Sequence, residues 1–311
     1  MTHNPSILVI GAGELGTAML EALAKHPLRS NVSRLSVLLR QATLDSAAPQ
    51  KRRLTQELRA AGVHFEAADI VAASQAELAS IFARYDTVIC CTGMYLPAGT
   101  QTKLAAAALE GQVARYFPWQ YGMDYDVIGA GSSQDLFDEQ LAVRKVLRGQ
   151  QATKWTIVST GLFMSFLFVK EFGVVDLEGK VVRGLGSWEN QITVTVPDDI
   201  GRVTADIALD PDDLGHGSQV VFCAGDTISY EKLADLLDAH FQTKFRRELW
   251  DGEILRRQME EDPNTMVKYR DTFSHGRGVA WEMDKTVNQK RGIPMTNIKS
   301  YLEKVYPRHQ E

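Results

Sequence analysis

Apolar positions follow two rhythms along the first half of the chain. Short apolar runs flanked by turn residues alternate with longer stretches in which apolar residues recur every three or four positions. The runs read as buried strands and the stretches as helices, so the pattern predicts the βαβ repeat of a parallel sheet. Strands are expected at 7–10, 35–39, 63–67, 87–91, 114–117 and 155–159. Helices are expected over 17–24, 54–61, 75–83, 102–109 and 135–147. Beyond Gly161 the rhythm changes. Residues 179–184 and 191–196 read as a short β pair around the loop 185–190. Pro197-Asp198-Asp199-Ile200-Gly201 opens a helix whose acidic first turn suits the helix dipole. Residues 219–223 are expected to add a strand to the sheet, and Ser229 to cap a helix over 230–241. The remainder is mixed and rich in charge, with Trp250, Tyr269, Phe273, Trp281 and Tyr301 scattered through it.

The expected class is therefore α/β: a doubly wound parallel-sheet Rossmann domain with a smaller mixed C-terminal lobe. The first spans 1–160, with 191–228 contributing; the second is built from 161–190 and 229–311. A chain of 311 residues is long enough for both.

Directly after the first apolar run comes Gly11-Ala12-Gly13-Glu14-Leu15-Gly16, and then a helical pattern. Strand, glycine turn and helix in that order mark a dinucleotide site. The first glycine permits the tight turn, the second admits a pyrophosphate, and the third lets helix and strand pack closely. The N–H groups of Gly13, Glu14, Leu15 and Gly16 at the helix start would hold the anion. An NAD site usually ends its second strand in Asp or Glu. Here Arg40 has that place, and a guanidinium fork suits the 2′-phosphate of NADP. Lys51, Arg52 and Arg53 read equally as part of that phosphate pocket or as a solvated helix start. Asp69 reads as an adenine-end contact or as an acidic cap. Residues 242–311 are then expected to close over the cofactor.

Charge and cysteines narrow the field. A net charge of −5 leaves no electrostatic footprint for nucleic acid. No apolar run approaches the roughly eighteen residues of a membrane span. Cys90, Cys91 and Cys223 form no disulfide framework, and Met1 to Pro5 lack the regions of a secretory signal, so a reducing cytosol is expected. No His or Cys cluster has metal-ligand spacing, and no Gly-x-Ser-x-Gly elbow occurs; no metal and no hydrolase chemistry are expected. The partner is expected to be a small molecule, with no nucleic acid or membrane; a homodimer is left open.

Catalysis is less plain. The Tyr-x-x-x-Lys pair of common short-chain reductases is missing: Tyr121 is followed four residues on by Tyr125, and Tyr301 by Val305. The opening GAGELG turn, Arg40, Arg115-Tyr116-Phe117-Pro118-Trp119-Gln120-Tyr121-Gly122 and Pro197-Asp198-Asp199-Ile200-Gly201-Arg202 together resemble the isoflavone reductase-like and NmrA-like atypical short-chain dehydrogenases. The segment 117–125 with Asp135-Leu136-Phe137-Asp138 is most similar to the fungal CipA-type branch. The resemblance covers about the first 240 residues and implies NADP(H). For plant members it also implies reduction of phenylpropanoid, lignan or isoflavonoid substrates. Two departures stand out. Plant members carry Phe-Pro-Ser-Glu-Phe-Gly where this chain has Phe117-Pro118-Trp119-Gln120-Tyr121-Gly122. They also use a lysine on the next helix; aligning on Val143-Arg144-Lys145 puts Gln140 there. An amide orients a carbonyl but supplies no proton at neutral pH. Lys145 lies five positions on and faces elsewhere, at about 100° per residue.

Tyr121, Gln140 and Gln120 are the candidate catalytic residues, with Tyr121 or water as proton source. Thr92 and Gly93 end strand four and Trp119 ends strand five, where a nicotinamide would lie; packing explains Trp119 and Gln120 equally well. Phe163, Met164 and Phe166 suit the wall of a flat aromatic substrate, or simply a core. Lys170 reads as a surface lysine in preference to a catalytic cation. Three functions follow. The first is an NADPH-dependent reductase of a small aromatic or polyketide-like specialised metabolite. The second is an NADP(H)-binding redox sensor without turnover. The third is a non-redox isomerase, cyclase or dehydratase on the same scaffold.

Overall fold

The computed structural model describes residues 4–210 and 217–307. The chain opens with β1 (Ser6–Ile10), α1 (Glu14–Lys25), β2 (Arg34–Leu39), α2 (Gln41–Leu44) and α3 (Pro49–Ala60). Next come β3 (His64–Ala67), α4 (Gln75–Phe82), β4 (Thr87–Cys90), α5 (Thr100–Glu110) and β5 (Arg115–Phe117). Then follow α6 (Tyr125–Ile128), α7 (Asp135–Arg148), β6 (Lys154–Ser159), β7 (Leu162–Phe163), β8 (Val175–Asp176), β9 (Val181–Leu185) and β10 (Gln191–Thr195). The last part contains α8 (Pro197–Leu209), β11 (Gln219–Phe222), β12 (Asp226–Ser229), α9 (Tyr230–Phe241) and β13 (Arg246–Trp250). It closes with α10 (Gly252–Glu261), α11 (Thr265–Ser274), α12 (Val287–Lys290) and α13 (Ile298–Val305).

Seven strands form one sheet in the order β3-β2-β1-β4-β5-β6-β11, and β1 to β6 pair in parallel. The doubly wound sheet expected from the sequence is present, with β11 at its edge. Its middle strands are buried along their length: Ile7 to Ile10, Leu35 to Leu39 and Thr87 to Cys90. Helices on both faces explain why these strands are continuously apolar rather than alternating. The edge strand β3 is exposed at both of its ends. Strand order reverses between β1 and β4, the switch point at which such sheets bind ligands. The glycine turn follows β1 and Thr92-Gly93 follow β4, one on each side of it.

Two compact units make up the chain. Residues 1–120, 139–158 and 200–221 form the first, and 121–138, 159–199 and 222–311 the second. The first has a core of sheet and helix side chains that includes Leu8, Ile10, Leu38, Phe82, Val88, Leu104, Tyr116 and Leu147. Within it a Cβ on Gly201 would lie 2.7 Å from the Ala18 carbonyl oxygen, so α8 approaches α1 too closely for a larger residue. Arg115 donates to the carbonyls of Ile207 and Ala208, satisfying free acceptors at the end of α8.

The second unit holds two three-stranded sheets, β12-β10-β7 and β13-β9-β8. The hairpin expected across 185–190 is therefore corrected: β9 and β10 are not partners. β9 pairs in parallel with β13, and β10 antiparallel with β12. Gly186, at φ +77°, extends the first ladder by donating to the Trp250 carbonyl. The loop that follows is held by Asn190, which donates to the Leu185 and Ser274 carbonyls instead of closing a hairpin turn. Within the segment 191–228, the strand expected at 219–223 does join the large sheet as β11, while β10 and β12 pair with each other in the sheet β12-β10-β7.

Candidate functional site

The turn between β1 and α1 is set by backbone geometry. Gly11 has φ +89° and donates to the Leu38 carbonyl, and a Cβ on it would meet the Thr92 side chain at 3.0 Å. A Cβ on Gly16 would lie 2.2 Å from the Gly11 carbonyl oxygen, so helix and turn touch through backbone. Gly13 differs from both. A Cβ there would meet nothing within 4 Å, and its φ of −76° is open to any residue. The protein's own packing therefore does not demand a glycine at 13, and the backbone there presents an open face. Gly13 is the N-cap of α1, and no side chain caps that end, the arrangement of a helix start that can meet an anion. Leu15 is buried and anchors the turn, while Glu14 is exposed. These residues fit a dinucleotide pyrophosphate.

Arg40 follows β2 and is exposed; its carbonyl accepts from the N–H of Thr43 and of Leu44 at the start of α2, while its guanidinium makes no hydrogen bond or ion pair with a described residue. Asp69 serves as a turn cap: its carboxylate accepts from the N–H of Val71 and of Ala72. Those two bonds, with smaller help from the charges of Arg40 and Lys103, hold the carboxyl below the usual range. Lys51, Arg52 and Arg53 lie exposed in the first turn of α3, and Arg53 is paired with Glu57.

At the ends of β4 and β5 side chains take over. A Cβ on Gly93 would lie 2.1 Å from the Trp119 indole, so glycine at 93 is what lets the half-buried ring seat there. Thr92 is held through its carbonyl, which accepts from Gln101 Nε2 at 2.8 Å. Glu139 in turn accepts from the backbone N–H of Gln101 at 2.8 Å, supplying the cap that Gly99 cannot give α5. Gln101 escaped sequence reading; a buried glutamine in an alanine-rich helix was its only signal.

Gln120, Gln140 and Arg144 are brought together. Gln120 Oε1 accepts from Arg144 Nε at 2.8 Å, and Gln120 Nε2 donates to the Gln140 carbonyl at 2.7 Å. Arginine only donates, so the orientation of the Gln120 amide is fixed. Gln140 and Arg144 are fully buried, with Gln120 at 1% exposure. Both polar atoms of the Gln140 side chain are buried without a hydrogen-bond partner. Arg144 was read from sequence only as an alignment marker. Its signal lay in the helix: Phe137, Gln140, Arg144 and Leu147 form one stripe, and all four are buried. Lys145 is exposed, as the helical spacing required.

In the second unit, Tyr121 is buried, and the strand-end segment that contains it is tied to the residues after β6. The Gly122 carbonyl accepts from the N–H of both Thr160 and Gly161, and the Tyr125 hydroxyl occupies the place of a Gly122 Cβ. Phe163 is half-buried, and Met164 is fully buried with its methyl close to Gly225. Phe166 packs edge-on to Tyr269 and against Phe172, within a cluster continued by Phe137 and Phe273. Lys170 is exposed. Among the described residues, no group of three His, Cys, Asp or Glu side chains is placed to hold a metal ion. No described helix is long and apolar enough to cross a membrane.

Comparison with known proteins shows the family and the fold. The profile of the NmrA-like family matches residues 3–302. A Gibberella moniliformis protein, named an NmrA-like family domain-containing oxidoreductase, is 58% identical over 303 residues, covering 97% of this chain and 98% of its own. Among solved structures, an isoflavone reductase superposes with a TM-score of 0.79 at 20% identity, over 97% of this chain and 99% of that one. The binary complex of leucoanthocyanidin reductase with NADPH from Vitis vinifera gives a TM-score of 0.77 at 17% identity, over 96% and 98%.

Proposed function

The chain belongs to the NmrA-like family, and we propose that it is an NADPH-dependent reductase of a small aromatic or polyketide-like specialised metabolite. The observation that carries this reading is the glycine turn without a side-chain cap, with the exposed guanidinium of Arg40 beyond the next strand. The similarity to a relative named an oxidoreductase supports it.

In this reading the backbone at Gly11, Gly13, Glu14, Leu15 and Gly16 holds the pyrophosphate. Arg40 takes the 2′-phosphate, and Thr92, Gly93 and Trp119 receive the nicotinamide end. When bound, the nucleotide supplies a hydride for a carbonyl or conjugated double bond. The chain orients the acceptor through the Gln140 amide and excludes water around it. Gln120 acts one step back, because both ends of its amide are engaged in holding α7. The proton comes from Tyr121 or from water. Phe163 and Phe166 form an apolar wall for the substrate, backed by Met164. Three buried, free cysteines suit a reducing cytosol.

The test is NADPH consumption, followed at its nicotinamide absorbance, with a panel of ketones, enones and quinones. Consumption with one class of acceptor is the expected result. Tight NADPH binding with no acceptor reduced would overturn the reductase reading in favour of a redox sensor. Conversion of a substrate without net NADPH loss would point instead to an isomerase or cyclase.

A further inference from the structure

A buried amide with neither end paired is costly, because each polar atom loses its water and gains nothing in return. Among the described residues Gln140 is the one side chain with two such atoms, Oε1 and Nε2. The neighbouring amide cannot relieve it: Gln120 is already committed to Arg144 and to the Gln140 backbone. The helix cannot easily move to relieve it either. Gln120 holds the Gln140 carbonyl, and Glu139, the preceding residue, is bound to the start of α5. The amide is thus held in the interior with neither of its polar atoms paired by the protein.

We propose that Gln140 recognises a substrate carrying a donor and an acceptor on neighbouring atoms, a carbonyl flanked by a hydroxyl group. Oε1 can only accept and Nε2 can only donate. A substrate with a carbonyl alone pairs with Nε2 and leaves Oε1 unpaired in the interior. A hydroxyl beside that carbonyl donates to Oε1, and both atoms are satisfied at once. No protein partner fixes which end of the amide points which way, and the pairing works in either orientation. A lysine here would offer donors only and would favour a lone carbonyl or an anion. The glutamine therefore changes which substrates are accepted as well as how a proton is supplied. This inference rests on the reductase reading for the carbonyl, but its test reads binding rather than turnover.

The probes are chroman-4-one and 3-hydroxychroman-4-one, titrated calorimetrically into the full-length protein with and without NADP+. The wild type is expected to bind the hydroxyketone about tenfold more tightly, the difference made by one additional buried hydrogen bond. Gln140→Leu keeps the bulk without the amide, and its preference should shrink to about twofold or less. Gln140→Met should do the same if the branched leucine perturbs packing. Equal affinity of the wild type for the two ketones, no binding of either, or a preference that survives in both variants would overturn the proposal. NADPH consumption with the same ketones separates the two readings. Preference for the hydroxyketone with no NADPH consumption on these ketones or on any other acceptor of the panel sinks the reductase and leaves the recognition; consumption without preference does the reverse.

Discussion

The glycine turn after β1 and the polar cluster at the end of β5 solve different problems with different parts of the chain. At the turn almost everything is backbone: Gly11 supplies a positive φ, Gly16 a close approach, and Gly13 an open face. At the β5 end almost everything is side chain. Gln120 bridges a buried guanidinium to the helix, and Gln140 keeps two unpaired atoms in the interior. The first arrangement suits a ligand recognised by shape and charge. The second suits one recognised by the pattern of its hydrogen-bonding groups, and it is where members of one family can diverge.

The largest effect should come from the turn itself. Gly16→Val forces side-chain atoms onto the Gly11 carbonyl and should destabilise the fold by about 3 kcal/mol or more, read from urea unfolding. In the cluster, Arg144→Met leaves Gln120 Oε1 bare in the interior. A loss of about 2 kcal/mol is expected in the same assay. A stability unchanged from wild type would mean that the cluster is not the buried network described. Gln140→Leu should act in the opposite direction. It removes two unpaired atoms, so a gain of about 1 kcal/mol is expected, and a loss of that size would show that the amide is satisfied after all.

These opposed expectations match what could be read from the sequence. Each requirement of the turn is local to six residues, so spacing alone exposes it. Arg40 is likewise legible, because it follows a strand whose end the apolar run marks. The cluster needs partners from three separate segments, and Gln120 could not be told from a loop amide without them. Arg144 was legible in principle as a polar residue on a buried helical stripe. β9 and β10 failed for the same reason as the cluster. Both are strands, but β9 lies between β8 and β13 and β10 between β7 and β12, and the apolar pattern of a strand does not name its partners.

The smallest effect concerns pH. Burial pushes the Cys90 thiol up to about 12 from an ordinary 9.0. A raised folded-state value means that the folded protein holds this proton more tightly than the unfolded chain. The associated stability is fully present below about pH 9 and is lost as pH rises toward 12. Cys90→Ala should therefore make the alkaline decline of the melting temperature shallower. Some decline should persist, because burial also raises Cys91 and Tyr116.

The central claim, that the turn holds NADP(H) through an open backbone face, is tested most directly at Gly13. NADPH and NADH titrated into the wild type and Gly13→Val, with melting temperatures measured alongside, give the answer in one experiment. The account predicts tighter binding of NADPH than of NADH by the wild type. It also predicts that the variant keeps its melting temperature while its NADPH affinity falls by about tenfold or more, because the added side chain meets ligand and not protein. Unchanged NADPH affinity in a stable Gly13→Val protein would contradict it.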